Sequence, residues 1–284
     1  MRWETGRRST NVEDRRGMRV SAPVVGGGIG AVILSLIVAL LGGDPSVIWE
    51  QDTAPSDRPS SESPGTTSSP QDQMADFVSV VLADTEDTWG ELFRQSGETY
   101  VEPTLVLYSD AVESACGFAR SAMGPFYCPS DQKVYIDLSF YQDLQSRFQA
   151  PGDFAQAYVV AHEVGHHVQN LLGISDRVRA LQSQADRTQA NQLSVRLELQ
   201  ADCFAGVWGH HAQRSRQVLE QGDISEALNA ASSIGDDRLQ SQARGYVVPE
   251  SFTHGSSAQR VRWFSRGIET GDPQQCNTFA VANP

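Results

Sequence analysis

The chain has 284 residues, of which 39% are hydrophobic and 20% charged, so it holds enough apolar material for one sizeable core with appendages. Its formal net charge is -13, and the first twenty residues carry six arginines against three acidic side chains, a local +3 that leaves -16 for the remainder. An acidic balance of this size excludes the basic surface on which nucleic-acid binding depends.

The N-terminal part predicts a membrane anchor. Residues 1–20 form an arginine-rich tail, and residues 24–41 are apolar except for glycines and one serine, so we expect a single transmembrane helix over residues 21–43. Because positively charged flanks stay in the cytoplasm, the N-terminus should lie inside and the rest of the chain outside the cytoplasmic membrane. The alternative is a cleaved signal peptide, although the basic start is long for one.

Residues 44–73 are expected to form a disordered linker. From residue 51 to residue 73, Ser, Pro, Thr and Asp dominate, and a stretch with hardly an aliphatic side chain buries too little surface to fold. The folded domain is therefore predicted to occupy residues 74–284.

This domain is predicted to be α+β, with a small N-terminal sheet followed by a mainly helical part. Residues 74–94 have apolar side chains at helical spacing, whereas residues 104–108 and 133–138 are short and rich in branched and aromatic residues, as strands are. The remainder is punctuated by Gly and Pro and predicts helices near residues 139–149, 153–171, 174–186, 188–213, 223–234 and 256–269.

The chain has four cysteines, and an exported location favours disulfides between them. Three pairings are possible. We favour Cys116 with Cys128, which closes a short loop, and Cys203 with Cys276, which ties the C-terminal tail to a long helix. No CxxC motif occurs, so a cysteine zinc site has little support.

Residues 162–166 read His-Glu-Val-Gly-His within the predicted helix 153–171. Side chains four residues apart lie on one face of an α-helix, so His162 and His166 can bind one ion. Neutral imidazole is a common zinc ligand, and Glu163 beside it can take a proton from a water that zinc activates. The alternative is a helix with two solvated histidines.

A third ligand is predicted on the long helix 188–213, where Glu198 and Asp202 are four residues apart and share a face. Glu198 would complete a His/His/Glu zinc site with one open position, the arrangement of catalytic zinc. Asp202 is expected to accept a hydrogen bond from a ligand histidine and so fix its tautomer. The alternative for Asp202 is an ion pair on the helix face.

HExxH followed by ExxxD resembles the gluzincin class of metallopeptidases. Longer strings resemble a bacterial family, the putative neutral zinc metallopeptidases, over about residues 74–280. These strings are GPFYCP at 124–129, HEVGHHVQ at 162–169, ELQADCFAGVW at 198–208, HGSS at 254–257, GDP at 271–273 and CNTF at 276–279. The resemblance implies a zincin-like fold and a membrane-anchored peptidase that acts on a protein or peptide.

Peptide hydrolysis also needs a donor for the oxyanion that forms at the attacked carbonyl group. His254, Tyr246 and Arg260 are candidates, and His254 with Arg260 resembles the His and Arg that follow the ExxxD helix in some membrane-associated gluzincins. The alternative is a helix-capping loop with a solvated arginine. Residues 133–138 are predicted to pair with an extended substrate, as a strand does in zincins.

The sequence therefore favours a membrane-anchored zinc metallopeptidase acting outside the cytoplasmic membrane. Two alternatives stay open: an inactive zinc-containing envelope binding protein, and a zinc amidase acting on a cell-wall bond. The presence of Glu163 argues against the first, because a purely structural site needs no general base. Nothing in the sequence predicts the oligomeric state.

Overall fold

A computed structural model describes residues 1–18 and 69–284. The described part combines a small sheet with a larger helical part, which confirms the predicted α+β class. Its eight α-helices are α1 Pro70–Gln95, α2 Phe140–Ser146, α3 Asp153–Leu171, α4 Ile174–Gln182, α5 Arg187–Arg216, α6 Asp223–Ser233, α7 Asp236–Arg244 and α8 Ser257–Thr270.

The predicted transmembrane segment 21–43 and most of the predicted linker lie outside the described residues. Within the two described ranges, no helix is both long and apolar enough to span a bilayer.

Four short strands form the main sheet in the order β1-β2-β6-β5. They are β1 Val12–Asp14, β2 Thr104–Tyr108, β5 Phe126–Cys128 and β6 Lys133–Asp137. β1 and β6 run parallel to β2 on its two sides, whereas β5 is antiparallel to β6. A separate antiparallel hairpin joins β3 Ala111–Ser114 to β4 Gly117–Arg120.

The position of β6 overturns the expectation that residues 133–138 pair with a substrate. β6 is bonded to β2 on one side and to β5 on the other, so a peptide has no edge of β6 to join. The edge on this side of the described sheet is β5, whose three residues are too few for an alternating pattern to indicate a strand. β5 also packs against α3.

The HExxH motif lies in α3, and fourteen of the nineteen residues of this helix are buried, so it is covered on nearly every face. Small residues let the neighbouring helices approach closely. A Cβ atom added at Gly165 would lie 3.1 Å from Cα of Ala201 on α5, and one added at Gly206 of α5 would lie 2.2 Å from a carbonyl oxygen of α8. These contacts fix α5, which carries Glu198, relative to the two histidines.

The predicted helices of the folded domain are all present, and their boundaries differ from the predicted ones by at most four residues. α3 begins and ends at the predicted residues. α1 begins at Pro70 rather than at residue 74, because Ser69 and Asp72 form a capping box in front of it. α7 is not predicted by the periodicity, because its nine residues are mostly polar.

Both predicted disulfides are present. Cys116 is bonded to Cys128, and Cys203 is bonded to Cys276. The second bond joins the C-terminal tail to α5 directly after Asp202. All four cysteines of the chain are therefore paired, and none is available as a zinc ligand.

The first eighteen residues differ from the separate tail expected for residues 1–20. They pack on the domain, with β1 pairing alongside β2, and Arg7 and Arg8 form ion pairs with carboxylates of α1. A strand that reads Val-Glu-Asp has no branched or aromatic pattern to indicate it, so only its partner β2 makes it recognisable.

Candidate metal centre

Three predicted ligand side chains converge between α3 and α5. The Nε2 atom of His162 lies 3.1 Å from Oε2 of Glu198, and the Nε2 atom of His166 lies 3.5 Å from Oε1 of the same carboxylate. One ligand atom from each of the three residues lies within 4.8 Å of the others.

This spacing fits zinc. With zinc–nitrogen and zinc–oxygen bonds of about 2.0–2.2 Å, neighbouring ligand atoms of a tetrahedral site lie about 3.3 Å apart. The two measured separations from Glu198 lie on either side of that value, so one ion can reach all three groups. Two imidazoles and one carboxylate are also the protein donor set of many catalytic zinc sites, which keep a fourth position open.

Each histidine presents Nε2 because its Nδ1 atom already has a partner. Nδ1 of His162 lies 2.8 Å from Oδ1 of Asp202, and Nδ1 of His166 lies 2.9 Å from Oε1 of Gln169. An oxygen acceptor places the ring proton on Nδ1, which leaves the lone pair of Nε2 for a metal. Asp202 thus lies where the sequence predicts a carboxylate behind a ligand histidine.

Asp202 is completely buried and binds three groups at once, namely His162, Arg260 and Tyr158. Arg260 donates to it from Nε at 2.8 Å and from Nη2 at 2.9 Å, and the Tyr158 hydroxyl also donates. Burial by itself would raise the pKa of Asp202, but the charges of Arg260 and His162 lower it to about 2. The carboxylate therefore stays ionised.

Arg260 is anchored beside Asp202. The side chain is almost fully buried, and its guanidinium is engaged by Asp202 and by the hydroxyl oxygen of Tyr158 at 3.1 Å. These contacts hold the carboxylate that orients His162. Arg260 also lines the cleft, so its support of the transition state stays a prediction.

Glu163 follows the ligand His162 directly, lines the cleft over the site and is 8% exposed. Burial raises the pKa of its carboxyl group, although His162 and His166 act in the opposite direction. A carboxylate with a raised pKa is a stronger base than an ordinary one, and its acid form is present in a larger fraction near neutral pH, which suits a general base that later acts as an acid.

The electrostatic field of the site favours positive charge. Burial opposes protonation of both histidines, yet Glu198 raises the pKa of His166 to about 9, and Asp202 raises the pKa of His162. Burial likewise opposes ionisation of Glu198, yet His166 and His254 lower its pKa well below the ordinary value. A divalent cation satisfies the same field.

His254 lines the cleft from the loop before α8. Its Nδ1 atom lies 3.0 Å from the Thr253 hydroxyl and 3.4 Å from Oδ1 of Asp236. The other oxygen of Asp236 accepts backbone N–H groups of Thr253, His254 and Gly255, so one buried carboxylate fixes both the loop and the ring. Because these contacts use Nδ1, Nε2 is the atom through which His254 can reach a substrate.

A cleft of about 470 Å³ opens over the three ligands, Glu163 and His254, a volume typical of ligand-binding clefts. Apolar side chains supply much of the remaining wall, among them Met123, Pro125, Phe126, Phe140, Phe148 and Leu239.

The family model described as putative neutral zinc metallopeptidase matches residues 1–279. The chain belongs to this family. The match includes β1 as well as the metal centre, so it extends further toward the N-terminus than the motifs indicated.

Proteins with similar sequences occur in Escherichia coli and in Mycobacterium tuberculosis. The chain is 55% identical to the uncharacterized protein YpfJ of Escherichia coli strain K12, covering 98% of this chain and 99% of the relative. It is 42% identical to an uncharacterized protein of Mycobacterium tuberculosis strain H37Rv, covering 86% of this chain and 85% of the relative. No solved structure matches.

Two further side chains lie apart from the three predicted ligands. Tyr246, a predicted candidate for transition-state support, is 61% exposed and is not among the residues that line the cleft, so the structure does not bring it to the site. His167 turns away from the ligands, with Nδ1 3.0 Å from the Tyr127 hydroxyl and Nε2 2.6 Å from the Val101 carbonyl oxygen. Burial lowers the pKa of His167 to about 4, so the ring is neutral.

Sequence reasoning missed three residues of the site, namely Tyr158, Gln169 and Asp236. Tyr158 lies four residues before His162 and Gln169 three residues after His166, so helical spacing could have identified both. Asp236 offers no such signal, because it lies 18 residues from His254 in the chain and meets it only through the tertiary fold.

Proposed function

We propose that this protein is a zinc-dependent peptidase. The observation that carries the proposal is that His162, His166 and Glu198 meet in one cleft with the buried carboxyl group of Glu163. A structural zinc site is closed by four protein ligands, whereas three ligands beside a base leave room for a reactant. The family name supports a peptide as the substrate.

His162, His166 and Glu198 would hold the zinc, which would supply Lewis acidity to activate water and to polarise the carbonyl group of the scissile bond. Glu163 takes a proton from the attacking water and returns it to the amine that leaves, and its raised pKa suits both transfers. Burial opposes protonation of His254, but the charges of Glu198 and Asp236 raise its pKa. The doubly protonated ring donates from Nε2 to the developing oxyanion, while Asp236 holds it in place through Nδ1.

We place the bound peptide along β5. This strand is an edge of the described sheet, packs against α3 and contributes Phe126 and Tyr127 to the cleft wall. A peptide that joins the edge of a sheet gains main-chain hydrogen bonds along its length and presents alternate side chains to the neighbouring pockets. The apolar wall favours substrates with a large apolar side chain near the scissile bond.

We also place the domain outside the cytoplasmic membrane. Two disulfides that use every cysteine of the chain support an oxidising compartment, because the cytosol keeps thiols reduced.

The test uses the full-length protein, its zinc content and a peptide library. Glu163→Gln should keep its zinc and lose at least about 100-fold in kcat/KM, because the base is removed while the ligands remain. Glu113→Gln removes a carboxylate exposed on β3 and should change neither quantity. Glu198→Ala should lose zinc. Full zinc and unchanged cleavage in Glu163→Gln would refute the mechanism.

A parallel assay on cell-wall muropeptides tests the substrate class. Cleavage of the peptide library with no cleavage of muropeptides supports the peptidase. Cleavage of muropeptides alone, still dependent on Glu163, would keep the zinc chemistry and replace the substrate with a cell-wall amide.

A further inference from the structure

We propose that residues 1–18, here called the N-terminal segment, are a built-in part of the folded domain and lie on the same side of the membrane as residues 69–284. A chain that crossed a bilayer once between residues 18 and 69 would separate these two parts. One molecule therefore cannot both have the contacts between these two parts and cross the bilayer a single time between them.

Backbone hydrogen bonds hold the N-terminal segment along most of its length. β1 pairs with β2 in parallel register from Val12 opposite Leu105 to Asp14 opposite Leu107. Further bonds join Arg2 N–H to the Val218 carbonyl at 2.8 Å and Ser9 N–H to the Ser79 carbonyl at 3.0 Å. The segment thus contacts β2, α1 and the chain after α5.

The domain provides a buried carboxylate for this segment. Glu86 of α1 is 3% exposed, and it accepts from Arg7 at 2.8 Å, from the Ser9 hydroxyl at 2.5 Å and from Asn11 at 2.9 Å. All three donors belong to the N-terminal segment. A buried charge that loses its partners is strongly destabilising. The position of Glu86 on α1 is therefore favourable when the N-terminal segment is docked and supplies its three donors.

Apolar packing supports the same arrangement. The Trp3 ring contacts the edge of Phe77 with centroids 5.4 Å apart. Gly6 lies so close to α1 that an added Cβ atom would be 2.5 Å from a methyl group of Val80. Such an approach requires the absence of a side chain at residue 6.

The arginines that predict a cytoplasmic N-terminus are used within the fold. Each arginine among residues 1–18 has a carboxylate within 4 Å, namely Arg2 with Glu220, Arg7 with Glu86 and Asp87, Arg8 with Asp76, Arg15 with Glu13, and Arg16 with Asp14 and Asp72. The positive-inside rule treats such charges as free to stay in the cytoplasm. Here four of these five arginines pair with carboxylates of residues 69–284, and Arg15 pairs within the segment.

The two described segments that flank residues 19–68 also lie close together. Arg16 donates to the Gln71 carbonyl oxygen at 3.0 Å and lies 3.4 Å from Asp72. The chain therefore leaves the domain after residue 18 and rejoins it at residue 69 in one place.

Labelling in intact spheroplasts tests the shared compartment. Thr5→Cys in the N-terminal segment and Ala180→Cys on α4 are both exposed, and every native cysteine is in a disulfide, so a membrane-impermeant maleimide reports only the new thiol of each full-length variant. We expect the two variants to react alike, either both before lysis or both only after it. Labelling of one before lysis and of the other only after lysis would overturn the proposal.

Trypsin cleavage after Arg7 and Arg8 of the purified full-length protein tests the docking itself. We expect cleavage at least about tenfold slower than in a free peptide of residues 1–18, because docked backbone must open before it is cut. Glu86→Ala should accelerate cleavage at least about tenfold, and Asp87→Ala, which removes a half-exposed partner of the same arginine, should not. Wild-type cleavage as fast as in the free peptide would overturn the proposal, and equal rates in the two variants would overturn the role of Glu86.

Discussion

The two disulfides should stabilise the domain to different extents. Replacing Cys203 and Cys276 by alanine is expected to lower the free energy of unfolding more than replacing Cys116 and Cys128. The Cys203–Cys276 bond joins residues 73 apart in the chain, whereas the Cys116–Cys128 bond joins residues 12 apart. A cross-link restricts the unfolded chain more when it closes a longer loop.

The lengths of the two closed loops determine the expected losses in the free energy of unfolding. Chain-entropy theory gives a loss of about 4.4 kcal/mol for the 73-residue loop and about 2.8 kcal/mol for the 12-residue loop at 25 °C. Urea unfolding of the two double variants measures both values, with a chelator present so that zinc binding does not add to the stability of the native state. Equal losses, or a larger loss for the short loop, would refute the reasoning.

The two disulfides should also differ in how readily they are reduced in the native protein, because their solvent accessibility differs. Cys116 is exposed, whereas Cys203 and Cys276 are completely buried. A dithiol reductant should therefore open the bond of Cys116 first, because exchange requires a thiolate to reach a sulfur atom. Alkylation followed by mass mapping at increasing reductant concentration gives the order. Simultaneous opening of both bonds would show that reduction proceeds through global unfolding instead.

Three further perturbations have definite outcomes. Gly206→Ala should destabilise the protein by about 1–3 kcal/mol in urea, because its Cβ atom would lie 2.2 Å from a carbonyl oxygen of α8, whereas Gly90→Ala, with nothing within 4 Å, should stabilise it by about 0.5–1 kcal/mol. Asp202→Asn should weaken zinc binding about 10–100-fold in a chelator competition. Acid should weaken the docking of residues 1–18: the arginine bonded to Asp76 lowers the pKa of that carboxyl group, so its contribution is complete above the ordinary carboxyl pKa and is lost as the pH falls through the lowered value. Because an exposed ion pair contributes little, hydrogen exchange of these residues, measured against a free peptide, should lose only part of its protection below about pH 4, and unchanged protection there would contradict the assignment.

The grouping of the predicted ligands and Asp202 was predictable from the sequence, because helical spacing determines which side chains share a face. His162 and His166 share a face of α3 and Glu198 and Asp202 share a face of α5, so the only tertiary assumption needed was that the two faces meet. The close approach of the two helices at Gly165 meets that assumption.

Features that depend on partners distant in the chain were not predictable in this way. β1 consists of polar and acidic residues around one valine and becomes a strand only beside β2. β6 has the composition expected of a strand. It lies inside the sheet, where no substrate can pair with it, only because the three-residue strand β5 covers its second edge. Asp236 meets His254 only because α7 and the loop before α8 pack together.

The contacts of Asp202 indicate what the buried charges of this protein do. Asp202 of α5 binds Arg260 of α8 together with Tyr158 and His162 of α3, so one carboxylate joins three helices at the metal centre. A buried ion pair contributes little net stability relative to apolar side chains of similar size, because desolvation offsets the attraction. What the pair provides is a fixed tautomer and direction for His162, which apolar packing does not supply. Arg260 therefore has an indirect role at this site: it keeps Asp202 ionised, and Asp202 keeps His162 ready to bind a metal.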